Sequence, residues 1–505
     1  MTKANKYLWT TSEWTFEKIE KVDREIRRIA TEKYKLDTYP NQIEVITSEQ
    51  MLSAYSSVGM PVLYDHWSFG KQFVYQQKDY KRGRMGLAYE IVINSSPCIS
   101  YLMEENTMTM QALVVAHAAY GHNSFFKNNY LFKQWTDAES IIDYLLFAKR
   151  YIGQCEEKYG EEAVEEVLDS CHALQNYGVD RYKKPRKLSI EKEKKRQRTR
   201  ERIRQEQVND IWKTLPASAK KKKKKKKRFP PETQENILYF IEKNSPILKS
   251  WQRELVRIIR KIAQYFYPQR QTQVMNEGWA TFTHYNIMND LYDDGLITEG
   301  AMLEFLKSHT SVVFQPEWHQ KYFNGLSPYV LGFNMMMDLK RVCEHPTEED
   351  KQWFPNFAGS DWLETLHFAM NNFRDESFIQ QFLSPTVIRE MRLFVVGDNK
   401  KNPYNYIVEH IHDDVGYRRV REFLSKQYNL NYQDPDIQVY NVDKEGDRTL
   451  YLKHYVYNDI PLHETADEIL KHIHRLWGYN VVLESVDTKG KVLKTYECKK
   501  EEKKD

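Results

Sequence analysis

Residues 112–129 read ALVVAHAAYGHNSFFKNN, and the rest of the chain is organised around them. A short apolar run carries His117, Gly121 interrupts it, and His122 follows at once. The spacing predicts a helix over 108–120 that ends at Gly121, where a helix C-terminus favours glycine. Two imidazoles this close, entering a polar and aromatic segment, suit a metal site or a catalytic base. The plainer reading makes His117 a hydrogen-bonded core histidine and His122 a helix cap. On a regular helix residues five apart diverge by about 140°, so the pair meets only if Gly121 ends or bulges the helix.

The pattern is not that of a metalloprotease HExxH, whose histidines sit four apart with a glutamate beside the first. Ala118 occupies that place here. If the chain is a hydrolase, another group such as Glu90, Glu104, Glu105 or His284 must act as base.

A second stretch, MNEGWATFTHYN at 275–286, supplies a carboxylate. Glu277 and His284 are two helical turns apart and share a face. Imidazoles and carboxylates are the usual nitrogen and oxygen ligands of zinc. His117, His122 and Glu277 therefore form the expected ligand set for zinc or another divalent metal. His284 and Glu105 are the expected catalytic or supporting groups. Weaker histidines (His172, His410, His412, His472, His474) read as structural or, for His410 and His412 with Asp413 and Asp414, as a surface metal trap.

The chain has 505 residues, 41% of them hydrophobic, with 34 Tyr, 23 Phe and 11 Trp, ample for a large packed interior. Its net charge of +4 hides 75 basic against 71 acidic residues, and much of the excess lies between 183 and 228. That segment ends in an unbroken lysine run, Lys220 to Lys227, which reads as a solvated insertion and secondarily as a salt-sensitive nucleic-acid contact. Five scattered cysteines without a CxxC pair predict a reducing compartment and no disulfide framework. There is no apolar leader or spanning run, so the expectation is a cytoplasmic protein. The absence of GxGxxG, Walker and GxSxG patterns argues against nucleotide-dependent and serine-elbow chemistry.

Helical periodicity is expected at 13–36, at 49–55 capped by Ser48, at 137–157, 163–176, 232–243 and 248–266, and onward to about 382. Residues 62–71 and 89–95 read as extended. Beyond 384 hairpins at 437–457 and 479–496 flank a helix at 465–476 that ends at Gly478. The fold class is thus mainly α with a small α+β C-terminal domain, and the helical body is expected to be zincin-like. Four segments follow: 1–182, a charged linker at 183–228, 229–385, and the C-terminal domain at 386–505.

The strings HNSFFKNNYLF, MNEGWATFTHYN, FIEKNSPILKSWQRELVRIIRKIAQYFYPQRQT and GSDWLETLHFAMNNFRDESFIQQFLSP resemble the stage V sporulation protein R (SpoVR) family over nearly the whole chain. The intact HNSFFKNNYLF and the C-terminal WGYNVVLE are similar to its enterobacterial-type branch. The resemblance implies a role in spore cortex, cell-envelope or stress physiology. It also implies partners: a PrkA-type serine protein kinase and a von Willebrand A-like protein. It supplies no reaction.

Overall fold

The computed structural model describes residues 7–57, 60, 63–81, 90–183, 190–207, 228–317, 320, 323, 325–410, 412–456, 462–463 and 465–499. The expected fold class holds: a mainly helical body with a small α+β unit at the C-terminal end. No helix among the described residues is long and apolar enough to cross a membrane.

One helix, Gln273–Asp293, forms the middle of the body. It is buried nearly all round, with Val274, Met275, Trp279, Ile287, Met288 and Leu291 in the first hydrophobic core. A helix buried on every side is surrounded by other elements. Here they are the 108–128 helical segment on one flank and the Pro328–Glu344 helix on the other. Both approaches run through glycine. A Cβ on Gly121 would lie 2.6 Å from the Ala280 Cα, and one on Gly278 would lie 2.5 Å from the Gly332 Cα. A Cβ on Gly332 would overlap the Val274 carbonyl oxygen. Backbones this close leave no room for a side chain. The start of the helix is fixed by buried Asp375, whose two oxygens accept the Val274 and Met275 N–H groups at 2.9 Å each.

Three strands flank this body. β1 (Asn41–Ile46), β2 (Glu90–Ile93) and β3 (Cys98–Met103) form a sheet of order β1-β3-β2. β1 pairs with β3 in parallel and β2 with β3 antiparallel. Glu90 opens β2 opposite Leu102, which carries it toward the segment that follows β3.

A second core joins the Ile141–Tyr159, Glu161–Ala173 and Ser250–Gln271 helices to the C-terminal sheet. That sheet has the order β6-β7-β8-β9, with β6 at Asp436–Val442, β7 at Leu450–Tyr455, β8 at Val481–Val486 and β9 at Val492–Cys498. The helix Ala466–Trp477 links the parallel pair β7 and β8 and ends at Gly478 in the left-handed conformation (φ +82). A two-stranded sheet of β4 (Val395–Asp398) and β5 (Tyr406–His410) stands apart.

Local expectations change in four places. The helix does not end at Gly121: it runs on as a π-helix over Val115–His122, because the glycine serves the contact with Ala280. Residues 67–71 are not extended; they begin the helix Trp67–Lys81, and the ring of His66 accepts the Ser68 N–H at its start. Thr47, not Ser48, caps the helix Ser48–Ser56 through a capping box with Gln50. The helix expected from 232 begins at Ile237, capped by Asn236. The charged helix Ile190–Gln207 is present, whereas Lys220 to Lys227 lies outside the described residues.

These contacts give opposite expectations for two helical glycines. Gly332→Ala is expected to cost about 1–3 kcal/mol by overpacking and to lower the melting temperature. Gly153→Ala, where a Cβ would meet nothing within 4 Å, should leave it unchanged or raise it by the equivalent of about 0.5–1 kcal/mol. Equal melting temperatures for the two variants would contradict the packing described.

Candidate metal centre

The π-helix resolves the spacing problem. Its i→i+5 hydrogen bonding widens the turn, so residues five apart return to one face, and such segments often lie at functional sites. His117 and His122 therefore point the same way, with ring centroids 4.6 Å apart. Gly121 lets this face press on the helix that carries Glu277.

Four side chains converge. The Nε2 of His117 lies 3.1 Å from Glu90 Oε1 and 3.9 Å from Glu277 Oε2. The Nε2 of His122 lies 3.8 and 3.6 Å from the same two atoms. One ligand atom each from Glu90, His117 and His122 falls within 4.8 Å of the others. The imidazoles are 5% and 8% exposed and the carboxylates 15% and 19%, so solvent reaches the cluster from the carboxylate side.

Electrostatics make this arrangement costly for the chain alone. Burial, and then the charge of Glu277, hold the Glu90 carboxyl well above the usual range. Burial pushes the His117 imidazole well below its ordinary value, and His122 and His284 add to that. No cationic side chain sits between the two carboxylates among the described residues, and Glu90 Oε2 and Glu277 Oε2 are buried without a hydrogen-bond partner. Buried oxygens are normally satisfied. Tyr329 stands against Glu277, whose negative charge is the main cause of its strongly raised phenol pKa.

The outward nitrogens of both histidines are taken. His122 Nδ1–H donates to Asn276 Oδ1 at 3.0 Å, leaving Nε2 as a free lone pair. His117 Nδ1 meets His284 Nδ1 at 2.8 Å, and His284 Nε2 meets His309 Nδ1 at 2.9 Å. Metal-binding histidines are held in this manner, by a partner on the second ring nitrogen. Two free imidazole nitrogens, two carboxylates and orphaned oxygens together fit a divalent cation.

Of the expected site residues, His117, His122 and Glu277 come together, and His284 lies behind His117. Glu105 does not join them. It is exposed and accepts the Ser48 N–H at 3.3 Å, because β3 ends at the surface beside the start of that helix. Glu104 is also exposed. Glu90, read from sequence only as a possible base, belongs to the innermost set. Asn276, His309 and Tyr329 were not singled out, although Asn276 adjoins Glu277 in the quoted string. His172 packs against Tyr64 and His66, while His412, His472 and His474 bond to Leu393 O, Ser170 Oγ and Tyr479 O. The His410 side chain lies outside the described residues.

The rest of the HNSFFKNN string pins this segment in place. Asn123 clamps the backbone of Tyr39 from both sides. Ser124 accepts the Trp279 indole N–H at 2.9 Å, and Asn129 donates to the carbonyls of Met370 and Phe373.

A stability test follows from the raised Glu90 carboxyl. Its folded value exceeds the unfolded one, so its contribution is fully present below the unfolded carboxyl range and is lost as pH rises through the folded value. In chelator-treated protein, Glu90→Gln should melt close to wild type at about pH 5 and above it at about pH 8. A wild type more stable than the variant at the higher pH would contradict the geometry.

Comparison with known proteins places the chain. The family described as SpoVR like protein matches residues 13–433, and its C-terminal domain family matches 435–488. A relative in Escherichia coli (strain K12), the uncharacterized protein YcgB, is 60% identical over 494 residues, which is 97% of this chain and 96% of the relative. No solved structure matches. With both family regions present in order and nearly the full length aligned, the chain belongs to the SpoVR family.

Proposed function

We propose that the chain is a divalent-metal protein with hydrolase-like chemistry, acting in the cytoplasm on a cell-wall precursor, peptide or related small substrate. The observation that carries this reading is the convergence of the His117 and His122 Nε2 atoms on two carboxylates, each with a buried Oε2 that has no hydrogen-bond partner among the described residues. His117, His122 and Glu90 would hold the ion, since their ligand atoms are mutually closest. That choice exchanges Glu90 for the Glu277 expected from sequence. The mixed imidazole and carboxylate donors suit zinc first, and iron or manganese next.

A bound ion would supply Lewis acidity and a water that ionises near neutrality. The chain's own groups have distinct tasks. Asn276 orients the His122 ring. Glu277 Oε2, unpaired and close to both imidazoles, is placed to accept a proton. Tyr329 beside it keeps its phenolic proton at neutral pH and offers a donor.

The alternative is a non-catalytic scaffold working with a PrkA-type serine kinase and a von Willebrand A-like protein, in a stress or cell-envelope setting. The near-complete burial of the two imidazoles favours it, because closed sites are more often structural.

Metal analysis of untagged protein prepared without chelator, beside a His117→Ala/His122→Ala double variant, tests the proposal. Wild type should carry about one equivalent of zinc, iron or manganese, and the folded variant none. No metal in either, with no melting shift on adding divalent ions, would overturn it. Metal without turnover in a hydrolase screen would favour the scaffold.

A further inference from the structure

The helix Ile190–Gln207 lies outside the metal centre and outside the hydrophobic cores. It reads IEKEKKRQRTRERIRQEQ, with eight basic residues against four acidic ones. Every described side chain on it is exposed, Ile203 included. A helix polar on every side gains nothing from burial. The ion pair it shows among the described residues is internal, Arg202 to Glu206 at 3.5 Å.

The charge of the chain divides at this insertion. Residues 183–228 hold 22 basic and 5 acidic residues, which leaves 53 basic against 66 acidic for the rest. A basic segment carried on an acidic body is the electrostatic footprint of a polyanion contact. We infer that the Ile190–Gln207 helix is a sequence-independent contact for duplex DNA, seated in the major groove with its basic side chains on the phosphates of both walls.

The distribution of charge around the helix selects the groove. At 3.6 residues per turn, Lys192, Lys195, Arg196, Arg198, Arg200 and Arg202 spread over about 200° of its circumference. A flat surface is met by a stripe of about 100°. A helix lying on a membrane also needs an apolar face, and Ile190 and Ile203 are the only aliphatic residues here. A groove has phosphates on either side. A helix is about 10–12 Å across, and the B-DNA major groove is about 12 Å wide. Eighteen residues run about 27 Å, over which the duplex presents roughly 16 phosphates. Arginine, five of the eight basic residues, grips phosphate oxygens in bidentate fashion.

The test is fluorescence anisotropy of the full-length protein with a labelled mixed-sequence duplex of about 20 base pairs, two turns of B-DNA. Wild type should bind at about 50 mM salt and lose affinity about a thousandfold by about 200 mM, since neutralising roughly six phosphates gives a slope near −5. The Arg196→Gln/Arg198→Gln/Arg200→Gln/Arg202→Gln variant keeps good helix formers and should match wild type in melting temperature and metal content. It should bind at least about tenfold more weakly at about 50 mM salt, with the slope flattened by about 3–4. No binding by wild type at the lower salt would overturn the inference, as would wild-type affinity in the folded variant. Phosphatidylserine vesicles, or an RNA duplex with its deep and narrow major groove, bound as tightly as the DNA would overturn the groove assignment. None of these results bears on the metal reading.

Discussion

Backbone contact at Gly121, Gly278 and Gly332 sets the distance between three helices, and every other feature of the site depends on that distance. The Gln273–Asp293 helix carries Asn276 and Glu277 on one turn and His284 two turns further on. His284 meets His117 and Asn276 meets His122 from this helix. Ala280 seated on Gly121 holds the two backbones at that spacing. The π-helix adds the second condition by turning two histidines, five residues apart, onto one face. The hydrogen bond from the Trp279 indole to Ser124 then ties the two segments together.

The site brings two carboxylates together in a buried setting, where burial and their mutual repulsion are unfavourable. Two other buried carboxylates are compensated by cations. Glu242 is surrounded by Lys243, Arg257 and Arg260, and Asp350 is paired with Arg341 and bonded by Thr347. Glu90 and Glu277 have no such cationic partner among the described residues. Proteins often give up stability where function needs groups poised, and the divalent cation proposed above would supply the missing charge.

Much of this was legible in the sequence. Helical periodicity and turn glycines are local signals, so the helical body and the hairpins of the C-terminal unit followed from them. His117, His122 and Glu277 stood out because chemistry-bearing residues lay in dense, distinctive strings. The missing pieces are those that depend on distant pairing. Glu90 reaches the site only because β2 pairs with β3, and β3 lies beside β1 in a parallel arrangement that no local pattern announces. His309 sits in the last turn of the Glu299–Val312 helix and meets His284 through tertiary packing. Gly121 carried a misleading signal: glycine permits both a helix end and a close helix contact, and only the position of Ala280 decides between them. The helix at Trp67–Lys81 was missed for a related reason, since an aromatic-rich run fits strand and helix alike until its cap is seen.

The most direct test of the central claim is a crystal structure of the protein as purified, with diffraction data collected above and below the absorption edges of zinc, iron and manganese. One anomalous peak is expected, bounded by the Nε2 atoms of His117 and His122 and the Glu90 carboxylate, with Glu277 adjacent. Crystals soaked in divalent ions that show these four side chains well ordered and no anomalous density among them would contradict it.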